Sequence, residues 1–163
     1  MAHSAIIISD KTTEVRCSMS QMIHSETTRI QPLIGDVYMV QFDGTGSVQR
    51  GFRPAVVFSN NVGNAHSPNV VVLPLTTSLK KANQPTHVIL EASSCGLRYT
   101  SMVLCENPQS ISKSMLGNRI SHLGKEEMAK IAAAYLVASS AISFIDFKTL
   151  VGMWEQSIRL NAS

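Results

Sequence analysis

The stretch from Gly35 to Asn60, GDVYMVQFDGTGSVQRGFRPAVVFSN, limits what this chain can fold into more than any other. Two apolar runs, Val37–Phe42 and Ala55–Phe58, flank a polar segment punctuated by Gly44, Gly46 and Gly51. Runs rich in Val, Tyr and Phe and bounded by Gly, Ser, Asn and Pro predict two β-strands joined by a loop. Glycines in that loop open backbone angles closed to other residues. Arg53-Pro54 opens the second strand, and Pro54, with no N–H to give a ladder, suits a strand's first position. Arg53 is thereby expected at a strand mouth under a flexible loop, a placement that suits a cation meant for a ligand.

Downstream, short apolar segments continue. Val70–Leu75, Thr86–Leu90 and Ser101–Cys105 predict strands, with Pro108–Ser110 continuing or kinking the last and another strand around Arg119-Ile120. Between them lie turn-rich connections: Asn60–Pro68, Thr76-Thr77-Ser78 leading to Lys80-Lys81, and Ser93–Thr100 with Gly96. Lys125–Ala138 predicts a helix. Glu126 and Glu127 suit the positive end of its dipole, and Met128, Ile131, Ala132, Tyr135 and Leu136 recur near a 3.6-residue period. Several short strands and one long C-terminal helix imply an α+β fold, a small curled antiparallel sheet with a helix against it.

The expected division is an N-terminal extension over 1–31, a domain over 32–151 and a tail over 152–163 that contains Trp154 and has no evident role. Residues 1–31, rich in Ser, Thr, Met and charges without a sustained period, read as disordered. Met19 and Met22 lie close enough to the first strand for either to serve as the translational start. Intact peptides from residues 2–18 in endogenous protein would overturn that expectation.

A length of 163 residues suits one domain with a respectable core. A formal charge of +3 fits an anionic partner without requiring one. The three cysteines, Cys17, Cys95 and Cys105, lack CxxC spacing and predict a reduced, cytoplasmic protein with neither a disulfide framework nor a zinc site. Ile131–Phe147 is apolar-rich, but Ser139, Ser140, Ser143 and Asp146 interrupt it, so a buried helix is expected rather than a membrane span. No signal peptide is evident.

The order G-D-V-Y, G-S-x-Q-x-G-x-R-P-A-V-V, P-L-T-T, P-T-H-V and V-L-x-E, running from about Gly35 to Phe147, resembles the MazF/PemK (Kid) family of toxin endoribonucleases. The resemblance implies an SH3-like β-barrel homodimer that cuts single-stranded mRNA at defined sequences without a metal or cofactor. It also implies a cognate antitoxin whose extended, acidic segment fills the RNA groove, and DNA binding only through that antitoxin. RNA can be cut by its own 2′-hydroxyl attacking the adjacent phosphorus, leaving a 2′,3′-cyclic phosphate and a 5′-hydroxyl. An enzyme must then align the nucleophile, stabilise the phosphoryl oxygens and move protons.

By this resemblance Arg53 is the central catalytic residue, its guanidinium fork matched to phosphate. Thr76 holds a phosphate oxygen beside it, and Thr77 and Ser78 donate in the same way. Ser47 and Gln49 line the RNA groove, His87 contacts RNA, and Glu106 helps form a base pocket. Lys80 and Lys81 add phosphate electrostatics that weaken with salt. Each also has a plainer role open to it: a surface ion pair for Arg53, a strand-end backbone bond for Thr76, a structural imidazole for His87.

The chain departs from the family at Val48, where many members carry an acidic residue, and at Asn107 and Gln109, which replace a more usual Gln and Arg. Two rivals follow: a CcdB-type gyrase poison on the same barrel, and a decayed member that binds antitoxin or RNA without cutting. No ribonuclease-A-like His pair, nucleotide-binding Gly loop or metal-ligand cluster is evident in the sequence.

Overall fold

A computed structural model of the chain describes residues 31–43 and 50–161. The expected N-terminal extension up to residue 30, and Ser47, Val48 and Gln49, lie outside the described residues. Seven strands follow in order: β1 (Asp36–Asp43), β2 (Arg50–Val57), β3 (Asn69–Thr76), β4 (His87–Leu90), β5 (Ser101–Leu104), β6 (Gln109–Ser112) and β7 (Leu116–His122). The helices are α1 (Asn61–His66), α2 (Ala92–Cys95), α3 (Lys125–Ala138) and α4 (Phe147–Asn161).

All strand pairings are antiparallel, in the order β4-β5-β3-β2-β1-β7, with β6 also on β3. One edge of β3 pairs with β2; the other is divided, Asn69–Val72 taking β6 and Leu75-Thr76 taking β5. That fork curls the sheet into the α+β arrangement expected from the sequence. The ladder path stays open between β4 and β7 among the described residues.

Strand alternation feeds two separate cores. Val37, Val56, Leu73 and Leu75 join Val88, Leu90, Val103 and the α3 residues Ile131 and Ala134. Their strand neighbours Tyr38, Val40, Phe42, Ala55, Val57, Val70 and Val72 pack instead with Ile111 and Leu116. Successive side chains on a strand point to opposite faces, so both faces are buried at Val37-Tyr38 of β1, Ala55–Val57 of β2 and Val72–Leu75 of β3, whereas Gln41, Asp43, Phe52 and Arg53 are exposed. Each fully buried aliphatic side chain contributes roughly 1.5–3 kcal/mol relative to exposure.

The first residues of the G-D-V-Y run each have a distinct part. Gly35 has φ of +88°, and a Cβ there would come within 3.1 Å of the Leu123 carbonyl oxygen. Its N–H donates to Val57 O and its carbonyl accepts from Leu123 N–H, both at 2.9 Å, tying β1 to the ends of β2 and β7. Asp36 is buried and accepts from Leu33 N–H (2.9 Å), Arg119 Nε (2.7 Å) and His122 Nδ1 (2.9 Å). Val37 and Tyr38 then enter the two cores in turn.

Tyr135 of α3 meets Phe58 with ring centroids 5.0 Å apart. The helix stops at Ser139; Ser140 is left-handed at φ 55°, and a 3-10 turn, Ala141–Phe144, follows. Beyond it the expected tail is helical. The α4 helix crosses residue 152 without a break, and each of its side chains from Phe147 to Arg159 is exposed. No described helix is long and apolar enough to cross a membrane.

Candidate active site

Arg53 stands where the β2–β3 ladder gives out. That ladder runs Ala55↔Pro74, Val56↔Leu73 and Val57↔Val72. Pro54 and Pro74 have no N–H, so the strands have little to hold them together past Ala55. Carrying the register two residues on sets Arg53 opposite Thr76. Alternation sends both side chains from the same face, that of Ala55 and Val72. On one side the row continues through Val40 to Leu116, and on the other through Met102 to Ile89. An exposed guanidinium and a half-buried hydroxyl thus share a row whose remaining members are apolar.

The Thr76 hydroxyl accepts from Ser78 N–H at 3.1 Å. This is the strand-end bond open to any such Thr, yet it uses only a lone pair and leaves the O–H to donate. Thr77, Ser78, Lys80 and Lys81 are exposed on the segment that follows. Leu79–Gln84 frame a shallow hollow of about 450 Å³.

His87 holds this segment down. Its side chain is 3% exposed, with Nδ1 2.7 Å from Lys81 O and Nε2 3.0 Å from Glu106 Oε1. Both neighbours are acceptors, so the ring bridges the Lys81 carbonyl and the Glu106 carboxylate. Glu106 keeps 41% of its side chain exposed. The fold therefore brings His87 to Glu106, and the extended β2–β3 register faces Arg53 with Thr76, the chain from Thr76 to Lys81 linking the two groups.

Three features escaped the sequence reading. Phe52, 59% exposed, lies just before Arg53 on the opposite sheet face, with its ring against Gly117, where a Cβ would come within 3.2 Å of Phe52 Cζ. An exposed aromatic beside an Arg was the available signal. Gln109 pairs with Val72, and its Nε2 is buried with no hydrogen-bond partner. Asp36 anchors the carboxylate cluster described above. Its burial alone would raise the pKa, but the bonds from Leu33 N–H, His122 and Arg119 outweigh it and hold the carboxyl below the usual carboxylate value.

Cys95 and Cys105 are free and buried. Burial, then the neighbouring Glu106 carboxylate, pushes the Cys105 thiol up to about 12. Among the described residues no group of three or more His, Cys, Asp or Glu is placed to hold a metal ion.

A sequence profile described as PemK-like, MazF-like toxin of type II toxin-antitoxin system matches residues 34–137. The chain is 37% identical over 111 residues to endoribonuclease EndoA of Bacillus subtilis, covering 68% of this chain and 96% of that protein. It is 36% identical over 98 residues to endoribonuclease MazF of Staphylococcus saprophyticus, covering 60% and 82% respectively. Among solved structures, an endoribonuclease in complex with its cognate antitoxin from Mycobacterial species aligns with a TM-score of 0.56 at 30% identity, over 67% of this chain and 95% of that one. MazF of Deinococcus radiodurans aligns at 0.59 and 22% identity, over 67% and 96%, a likeness of fold.

Proposed function

Since the chain belongs to the family of PemK-like, MazF-like toxins of type II toxin-antitoxin systems and is an endoribonuclease of that family, we propose that it cuts single-stranded mRNA at defined sequences by driving the RNA's own 2′-hydroxyl onto the adjacent phosphorus. The 2′-oxygen–phosphorus bond forms and the phosphorus–5′-oxygen bond breaks. A proton leaves the 2′-hydroxyl and one reaches the departing 5′-oxygen, giving a 2′,3′-cyclic phosphate and a 5′-hydroxyl. No metal takes part.

What supports this chemistry is the β2–β3 register, which, carried two residues past its last pair, faces Arg53 with Thr76 on one side of the sheet. The guanidinium fork spans two phosphoryl oxygens and gains strength as charge builds on them. The Thr76 O–H donates to one of those oxygens. Lys80 and Lys81 attract the backbone from the neighbouring loop, which His87 and Glu106 hold in position. Thr77, Ser78, Ser47 and Gln49 contact the strand on either side of the scissile phosphate. The toxin acts as a homodimer with RNA across or beside its interface. A cognate antitoxin silences it by laying an extended, acidic segment in the same groove, where its carboxylates replace phosphates opposite Arg53 and the lysines.

The test uses purified protein, a long unstructured RNA and EDTA, with new 5′ ends mapped and assayed for 5′-hydroxyl chemistry. Wild type is expected to make discrete, EDTA-resistant cuts that a 2′-deoxy substitution at the cut site blocks. Arg53→Ala is expected to lower the rate about 100–1,000-fold, and Thr76→Ala about tenfold. Several sequence-diverse RNAs left intact by wild type would overturn the enzyme. Growth arrest with gyrase-linked DNA breaks and intact RNA would point to a gyrase poison instead.

A further inference from the structure

The family match ends at residue 137, and α4 lies wholly beyond it. Within this helix Phe147, Leu150, Val151, Trp154 and Ile158 recur at spacings of three and four, a stripe about 100° wide along one side. All five are exposed, Phe147 by 78% and Trp154 by 64%. A helix of 15 residues spans about 22 Å, and at that length an isolated helix is marginal in water. A stripe of this kind calls for a cover.

Charge placement identifies it. Lys148 and Glu155 sit two turns apart on the same flank of the stripe, too far apart to pair within one helix. Arg159 lies further round that flank, one turn past Glu155. The opposite flank carries Leu150, Met153 and Ser157, with no charge. We infer that α4 pairs with α4 of a second copy of this chain, antiparallel and two-fold symmetric. Such a pairing brings like flanks together, so Lys148 of one copy meets Glu155 of the other, twice. It also sets Phe147 against Ile158 and Trp154 against Val151, each aromatic ring facing a smaller β-branched side chain, as close packing favours. A parallel pairing would stack ring on ring and face both charges with the uncharged flank. This interface is separate from the RNA chemistry and does not depend on it.

Trp154 is the only tryptophan in the chain, so its fluorescence reports this contact even when the domains associate by another surface. The experiment measures acrylamide quenching of the full chain across a dilution series. The indole is expected to be shielded at high concentration and to become accessible on dilution. Lys148→Glu and Glu155→Lys should each raise the midpoint of that transition about tenfold, since two contacts turn from attractive to repulsive. The double variant, with the charges exchanged, should return to the wild-type midpoint, a rescue that pairing within one helix cannot give. An indole quenched freely at every concentration would overturn the inference. So would shielding indifferent to dilution and to both reversals, which places the cover in the same chain. Shielding that arises only when an antitoxin is added would assign the stripe to that partner.

Discussion

Asp36 shows how one side chain can set a chain's response to acid. Its carboxyl is 4% exposed, and its three bonds hold the pKa below the usual value despite the burial that opposes them. A carboxyl depressed in the folded state contributes stability that is fully present above its unfolded pKa of about 3.9 and is lost as pH falls through the folded value. Urea midpoints should therefore decline as pH drops below about 4, and Asp36→Asn should flatten that decline while lowering stability at neutral pH by about 1.5–3 kcal/mol. Arg119 and His122 are about half exposed and rehydrate when Asp36 is replaced. An unchanged pH profile in the variant would show that other carboxyls dominate. At this scale the sequence was only partly readable. The R-P pair drew attention to Arg53, but the strand mouth expected there is not found: β2 begins at Arg50 and Arg53 pairs with Val40 in mid-strand, so that only the β2–β3 ladder ends beside it. The bonds of Asp36 reach Arg119 and His122, more than eighty positions away, and no local pattern announces them.

Among the elements, the strands expected from the sequence are present, because each combines a short β-rich run with its own turn signals, but β2 starts at Arg50 rather than at Arg53-Pro54, and Gln109–Ser112 is a separate strand on β3 rather than a continuation of β5. The helices were less legible. The single turn of α2 contains Ser93 and Ser94 and ends on the left-handed Gly96, so it read as loop. The last helix was hidden by Thr149, Gly152 and Ser157, which weaken its propensity, although its apolar spacing was in plain view. Its beginning depends on Asp146, whose Oδ2 accepts from Thr149 N–H at 2.9 Å and from the Thr149 hydroxyl at 2.7 Å. Those bonds, the hydroxyl's first, hold the Asp146 carboxyl below its usual value. Asp146→Ala removes an N-cap and is expected to lower the far-ultraviolet helical signal by up to the share of this one helix. It should also make Trp154 more accessible to acrylamide. The same loss should follow in wild type as pH falls through the lowered pKa. A variant with undiminished helical signal would show that the helix stands without its cap.

The whole molecule offers a probe of its own opening in Cys105. This thiol has no exposed surface and a pKa pushed up to about 12, so neither access nor thiolate is available in the native state. In a Cys17→Ser, Cys95→Ser background, labelling of Cys105 by a thiol reagent should be slow and should accelerate in step with urea unfolding. Fast labelling in native buffer would reveal local opening at the end of β5. The core that encloses Cys105 is one of two, and that division has a consequence for folding. Most half-buried strands are held in register by oil and water: a slip of one residue would turn greasy side chains outward. At the start of β1, Val37 and Tyr38 are buried on opposite faces, and a slip there would trade one interior for the other, although Gln41 and Asp43 further along are exposed. At that end, registration comes from marks that fit in a single position. Gly35, with its left-handed turn against Leu123, and Asp36, with its three donors, are such marks. They act as the notch that lets a key enter its lock one way only.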